Sequence, residues 1–119
     1  MANIKQSMDE LMTTDGAMCA ALVDSGSGMV LGQVGTGVDL EVAAAGNTEV
    51  VRAKMKTMQS LGLNDSIDDI LITLGKQYHI IRPMVKQDGL FIYLVLDKSR
   101  SNLALARRKT ADVEQALTL

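Results

Sequence analysis

Between Ile67 and Asp97 three apolar runs alternate with two short breaks that are polar or contain glycine. Ile70-Leu71-Ile72-Thr73-Leu74 ends at Gly75-Lys76-Gln77, and the run from Tyr78 to Val85 ends at Lys86-Gln87-Asp88-Gly89. The third run covers Leu90 to Leu96. Each is rich in Ile, Val, Leu and Tyr and has the length of a strand. Breaks of this size with glycine predict successive antiparallel hairpins, hence a three-stranded meander. In the third run Leu90, Ile92, Leu94 and Leu96 share one face, and Phe91, Tyr93 and Val95 share the other. Apolar groups on both faces predict a sheet that is covered on both sides.

The covers are legible elsewhere in the chain. From Asn3 to Thr14, Ile4, Met8, Leu11 and Met12 recur at the spacing of one helical stripe, with Asn3 as N-cap and Asp15-Gly16 as the stop. Ala17–Val23 and Met29–Val34 read as a hairpin closed by Asp24-Ser25-Gly26-Ser27-Gly28. Ala20 and Ala21 in this strand would let a helix approach the sheet closely. From Asp39 to about Leu61 the chain is rich in Ala, Met, Lys and Glu and free of Pro, which predicts a long helix closed by Gly62. Leu40, Ala44, Val51, Met55 and Met58 lie near one stripe of it, and Ala43 and Val50 widen that stripe. A last helix is expected from Asn102 to Leu117, capped by Ser101 or Asn102. Leu103, Ala106, Val113 and Leu117 would lie on one side, and Arg107, Arg108, Lys109, Asp112 and Glu114 largely elsewhere.

The predicted order is therefore α-β-β-α-β-β-β-α. The fold class is α/β of the α+β kind, a five-stranded antiparallel sheet with helices on both faces. With 119 residues, one domain spanning 1–119 is expected, burying roughly two thirds of its unfolded surface.

Composition excludes more than it assigns. A net charge of −2 gives no electrostatic footprint for nucleic acid or an anionic membrane. Without Trp, and with only Tyr78, Tyr93 and Phe91 as aromatics, there is no stacking platform for bases. The single cysteine, Cys19, cannot form an intramolecular disulfide, and neither a signal core nor a run of membrane-spanning length is evident. A cytoplasmic location without membrane insertion is expected.

Candidate chemistry is sparse. The glycines at 26, 28, 32, 35 and 37 fit neither the dinucleotide fingerprint nor the lysine-bearing phosphate loop, and turn formation accounts for them. Cys19, inside an apolar strand without a basic neighbour, reads as a small hydrophobe. One His and one Cys cannot build a metal quartet, and His79 reads as structural or surface. Asp68-Asp69 read as solubilising gatekeepers before an apolar strand, and Arg107-Arg108-Lys109 as a solvated helix face. For Met55 and Met58, core filling and adaptable protein contact both fit. No catalytic residue, metal, cofactor or small-molecule substrate is indicated.

The order and spacing of these segments resemble a Roadblock / dynein light-chain domain over nearly the whole chain. Asp15-Gly16-Ala17-Met18-Cys19-Ala20-Ala21-Leu22-Val23-Asp24 with Gly28-Met29-Val30-Leu31 is similar to that family's first hairpin. The Ala-rich helix from Leu40 to Met58 follows, then Ile70-Leu71-Ile72-Thr73 and Tyr78-His79-Ile80-Ile81-Arg82-Pro83. Leu90 to Asp97 and Leu105-Ala106-Arg107-Arg108 complete the likeness. The resemblance implies a profilin-like, non-enzymatic module that dimerises by pairing its third strand across a two-fold axis, with the second helices side by side. It also implies a Ras-like small GTPase as partner, since bacterial and archaeal members commonly regulate such proteins, some as GTPase-activating proteins. Eukaryotic members serve as dynein light chains or scaffolds, so a purely structural subunit is the alternative. The extra terminal helix of longer bacterial activators has no counterpart here, and an arginine finger from Arg52, Arg82 or Arg107 has no motif behind it. A small-molecule sensor fits less well, because few polar groups could orient a ligand in an apolar pocket.

The residues support a dimer independently. An edge strand at Ile70–Leu74 would expose unpaired backbone beside apolar side chains, and a second copy removes that edge. Val51, Met55, Met58, Leu71 and Thr73 are accordingly expected near the two-fold.

Overall fold

Eight elements form in the order the pattern predicts in a computed structural model that describes residues 2–87 and 89–119. They are α1 (Ile4–Leu11), β1 (Ala17–Asp24), β2 (Met29–Gly35), α2 (Leu40–Ser60), β3 (Ile70–Thr73), β4 (Gln77–Pro83), β5 (Leu90–Asp97) and α3 (Leu103–Ala116). A 3-10 turn, Lys98–Arg100, joins β5 to α3. Asp88, which the sequence places in the second break of the meander, lies outside the described residues.

Local chemistry sets the helix ends. Asn3 and Gln6 form a reciprocal capping box, each side chain bonding the other residue's backbone N–H at 2.8 and 2.9 Å. Asp39 caps α2 by accepting from the N–H groups of Glu41 and Val42. At the other end Gly62 takes a positive φ, and the N–H groups of Gly62 and Leu63 return to the carbonyls of Gln59 and Met58. Of the two candidate caps for α3, Asn102 is the one used, accepting from Leu105 N–H. α1 is shorter than the stripe suggests, because its last turn at Met12–Thr14 opens into the β1 approach.

The strands form one antiparallel sheet in the order β2-β1-β5-β4-β3. β3-β4-β5 is the predicted meander, and the first hairpin joins it through β1 beside β5. The double-faced strands are covered as expected. α1 and α3 lie on one face, where Met8, Leu11, Ala106, Val113 and Leu117 pack with Ala20, Leu22, Ile80, Ile92, Leu94 and Leu96. α2 lies on the other, where Leu40, Ala44 and Val51 pack with Cys19, Ala21, Val23, Ile81, Phe91, Tyr93 and Val95. At roughly 1.5–3 kcal/mol for each large side chain buried, these two layers are what hold the short helices in place. Ala20 and Ala21 point to opposite faces, one beneath each helix layer. A Cβ on Gly32 would collide with Cγ2 of Ile4, so the glycine is what allows α1 to seat on β2.

The structure changes three expectations. Only the first half of the α2 stripe is core: Leu40, Ala44, Thr48 and Val51 are buried, whereas Met55 and Val50 are exposed and Met58 is half-buried. Thr48 fills the stripe because its hydroxyl donates to the Ala44 carbonyl at 2.7 Å and so needs no water. Glu114, assigned to the outer side of α3, is buried, with only 2% of its surface exposed. Asp69 and the basic cluster on α3 are not independent solvated groups. Asp69 accepts two hydrogen bonds of 2.9 Å from Arg107, and Lys109 pairs with Glu10 at 2.8 Å.

Candidate functional site

The two sheet edges differ in how they are finished. β2 carries a bulge: Leu22 pairs with Gly32 and Val23 with Val30, leaving Leu31 without a partner. α1 and α2 both pack on β2 from opposite sides. β3 is regular, pairing Ile70, Leu71, Ile72 and Thr73 with Ile81, Ile80, His79 and Tyr78 in an unbroken register. It contains no charge and no proline, the usual devices against edge-to-edge association. α2 is centred over β1 and β2, and α3 over β4 and β5. Ile70, Leu71 and Ile72 are consequently only half-buried and Thr73 is exposed.

The five residues expected near a two-fold do not gather on one face. Val51 is committed to the core beneath its own helix. Met55 and Met58 continue α2 beyond that core. Met55 lines a groove of about 420 Å³ with Val51, Arg52 and Lys56 on one wall and Pro83 and Leu90 on the other. Leu71 packs toward α1 and α3, and Thr73 shares its side of the strand. The β3 residues turned toward the α2 side are Ile70 and Ile72, which the sequence pattern did not single out. A period-two count from the meander separates the two pairs. Assigning a pair to the α2 side needs the strand order.

Polar groups organise the same region. On the α2 side, His79 lies between Ile72 of β3 and Val95 of β5. Its Nε2 is 2.8 Å from Oε1 of Gln77 and its Nδ1 is 2.9 Å from the Tyr93 hydroxyl, with the two rings edge to face. Gln77 Oε1 accepts from an Nε2–H, and the Tyr93 hydroxyl can either donate to Nδ1 or accept from it. Burial holds the His79 pKa below its ordinary value and pushes that of Tyr93 up, the nearby Asn47 side chain of α2 partly offsetting the latter. Burial also raises the Cys19 thiol, with a backbone bond from Val38 opposing it, so this cysteine is packed and unreactive.

Three ion pairs tie the helices to the sheet and to each other. Glu114 accepts from Arg82 Nε at 2.6 Å and from the Val85 N–H at 2.7 Å, joining α3 to β4 and to the start of the loop after it. Arg107 bridges α3 to Asp69, one residue before β3, and its pKa is raised by those hydrogen bonds. Lys109 reaches Glu10 of α1. Arg52 donates to the Gly26 carbonyl at 2.6 Å, so each of the three arginines considered as a finger is engaged within its own chain. Among the described residues no cluster of His, Cys, Asp or Glu could hold a metal ion, and no helix is long and apolar enough to cross a membrane.

A five-stranded antiparallel sheet between one helix and a helix pair, with the first hairpin inserted beside the last strand, defines the profilin-like α/β/α class. Within it, the chain has the fold of Roadblock/LC7 domains. The Roadblock/LC7 domain from Streptomyces avermitilis superposes with a TM-score of 0.82 at 13% identity, over 97% of this chain and 94% of that one. Myxococcus xanthus MglB gives 0.79 at 17% identity over 92% and 86%. The gliding protein MglB from Thermus thermophilus gives 0.80 at 16% identity over 94% and 83%. No protein-family model and no curated protein matches the sequence itself.

Proposed function

We propose that this chain is a non-catalytic, dimeric regulatory module that binds a Ras-like small GTPase in a prokaryotic signalling or polarity system, in the cytoplasm. The observation that carries this reading is the unprotected β3 edge beside the partly covered α2 face, in a fold shared with MglB. A second copy pairing along β3 would continue the sheet and cover Ile70 and Ile72. Charge supports an antiparallel approach of the two α2 helices. The first half of α2 carries Glu41 and Glu49, and the second half carries Arg52, Lys54 and Lys56. Antiparallel neighbours would set acidic against basic halves. Met55 and Met58, beyond the intrachain core, then have a partner surface to fill.

Co-purification tests the reading directly. The purified chain is passed over the Ras-like GTPases of its own genome, each loaded with GTP or GDP, after light scattering has established its mass in solution. A dimer that retains one GTPase in one nucleotide state supports regulation, and accelerated phosphate release would make it a GTPase-activating protein. A dimer that ignores them all leaves the second reading, a scaffold subunit of a larger complex. The engagement of Arg52, Arg82 and Arg107 in their own chain favours that alternative over finger-type activation. A stable monomer at micromolar concentration would overturn the dimer.

A further inference from the structure

The hydrogen bonds of the meander fix which backbone groups of β3 stay free. Leu74 N–H donates to the Gln77 carbonyl at 2.9 Å, which makes Leu74–Gln77 a hydrogen-bonded pair of the β3–β4 ladder. Such pairs alternate along an antiparallel ladder, so Ile72–His79 and Ile70–Ile81 are the others. The far side of β4 gives the same phase independently. Met84 N–H donates to the Leu90 carbonyl at 2.9 Å, so Arg82, Ile80 and Tyr78 bond β5 and leave Ile81, His79 and Gln77 for β3. Leu71 and Thr73 therefore turn both their N–H and their C=O groups out to the open edge. Leu74 stands just past the last residue of β3 and is exposed. By the period of two it shares the side of Ile70 and Ile72, which face α2.

We propose that β3 takes a second copy of itself in one register, with Ile72 on the two-fold axis facing Ile72 of the other copy. The inference rests on the dimer reading above and specifies its seam. A two-fold antiparallel pair must match outward backbone groups with outward ones. The choice is then Leu71 opposite itself, Thr73 opposite itself, or Leu71 opposite Thr73. Either of the first two leaves part of the run Ile70–Leu74 unpaired and draws in Asp69 or Gly75 instead. Setting Leu71 opposite Thr73 pairs the whole run, with Ile70 across from Leu74 and Ile72 across from Ile72. On the α2 side the row Ile70, Ile72, Leu74 meets its own copy, and the exposed Leu74 gains Ile70 of the second copy as its neighbour. Ile72 falls at a non-hydrogen-bonded position, where facing Cα atoms come to about 4.5 Å and side chains approach most closely. This apolar strip is complete only when both copies contribute to it.

Amide exchange of the wild type and cross-linking through single cysteines test this. At concentrations where sedimentation shows the dimer, the Leu71 and Thr73 amides should exchange about tenfold or more slowly than in the diluted chain. The amides of Ile70 and Ile72, bonded within the chain, should change less. Ile72→Cys should give a disulfide-linked dimer on mild oxidation, because facing positions lie within disulfide reach. Leu71→Cys and Thr73→Cys should each fail to link with themselves, since like residues then stand about 7–8 Å apart, beyond that reach. The wild type, whose Cys19 is buried, gives the blank. Self-linking of Leu71→Cys or Thr73→Cys, with none in Ile72→Cys, overturns the register and leaves the dimer standing. A wild-type dimer whose Leu71 and Thr73 amides stay unprotected moves the seam off β3 and overturns the proposal without any variant. That measurement also decides the matter where Ile72→Cys no longer associates. A wild-type monomer at micromolar concentration overturns the register and the dimer together.

Discussion

β2 and β3 are the two ends of one sheet, yet they are finished in opposite ways. β2 has seven residues, a bulge at Leu31 and a helix on each side, with Ile4 of α1 set against Gly32. β3 has four residues in regular register, no charge, and apolar side chains left half-buried on both faces. A bulge re-aims an edge and interrupts the row of free N–H and C=O groups, so β2 is a poor template. β3 keeps its row intact. One sheet can thus hold a terminated edge and a continuing one, and which of them is open decides where association takes place.

Substitutions at the two edges should separate these roles. The largest effect on folding is expected from Gly35→Ala at the end of β2. Gly35 has φ +79°, and a Cβ there would run into the Met18 carbonyl. Left-handed strain and overpacking together should cost about 3 kcal/mol in urea denaturation at fixed protein concentration. If the loss is under about 1 kcal/mol, the tight β2 end is not what holds that edge. Ile72→Lys in β3 should act on association instead. An unpaired charge on the covered row should weaken the dimer about a hundredfold while the circular dichroism spectrum is kept. A dimer of undiminished affinity would place the seam elsewhere.

Asp69→Ala is the intermediate case. It removes the carboxylate by which Arg107 fastens the start of β3 to α3. Because Arg107 is about half exposed, solvent screening limits the expected cost to about 1 kcal/mol, read as a lower melting temperature. Faster amide exchange at Ile70 and Leu71 should accompany it, and unchanged exchange there would mean that the ion pair is incidental. The smallest effect belongs to Leu31→Lys. That bulge residue is exposed, so stability should stay within about 0.5 kcal/mol and the dimer constant should not move. A large shift in the constant would transfer the seam to β2 and reverse the comparison.

Much of this could be read without coordinates because it depends on near neighbours along the chain. The period-two faces of Leu90 to Leu96, the cap at Asn3, the choice of Ser101 or Asn102 for the last helix, and the stop at Gly62 are all local chemistry. These were enough to predict the elements, their order and the need for a cover on each face. Glu114 escaped the reading because a carboxylate scores as surface until its partners are known. Arg82 lies 32 residues away, and the Val85 N–H 29. Thr48 escaped because its hydroxyl is satisfied within its own helix and behaves in the core as an apolar group. Asp69 looked like a gatekeeper because Arg107 comes 38 residues later.

The sequence by itself determined that the chain makes five strands and three helices and that the strand from Leu90 to Leu96 is apolar on both faces, since spacing along the backbone dictates which side chains share a face. The tertiary structure alone decided that β1 inserts beside β5, leaving β2 and β3 as the edges. It also decided that α2 covers only one end of its face, and that His79 and Tyr93 meet on that face. Strand order and helix placement are set by contacts between residues far apart in the chain. A hydrophobic pattern records that a face will be covered and carries no record of what covers it.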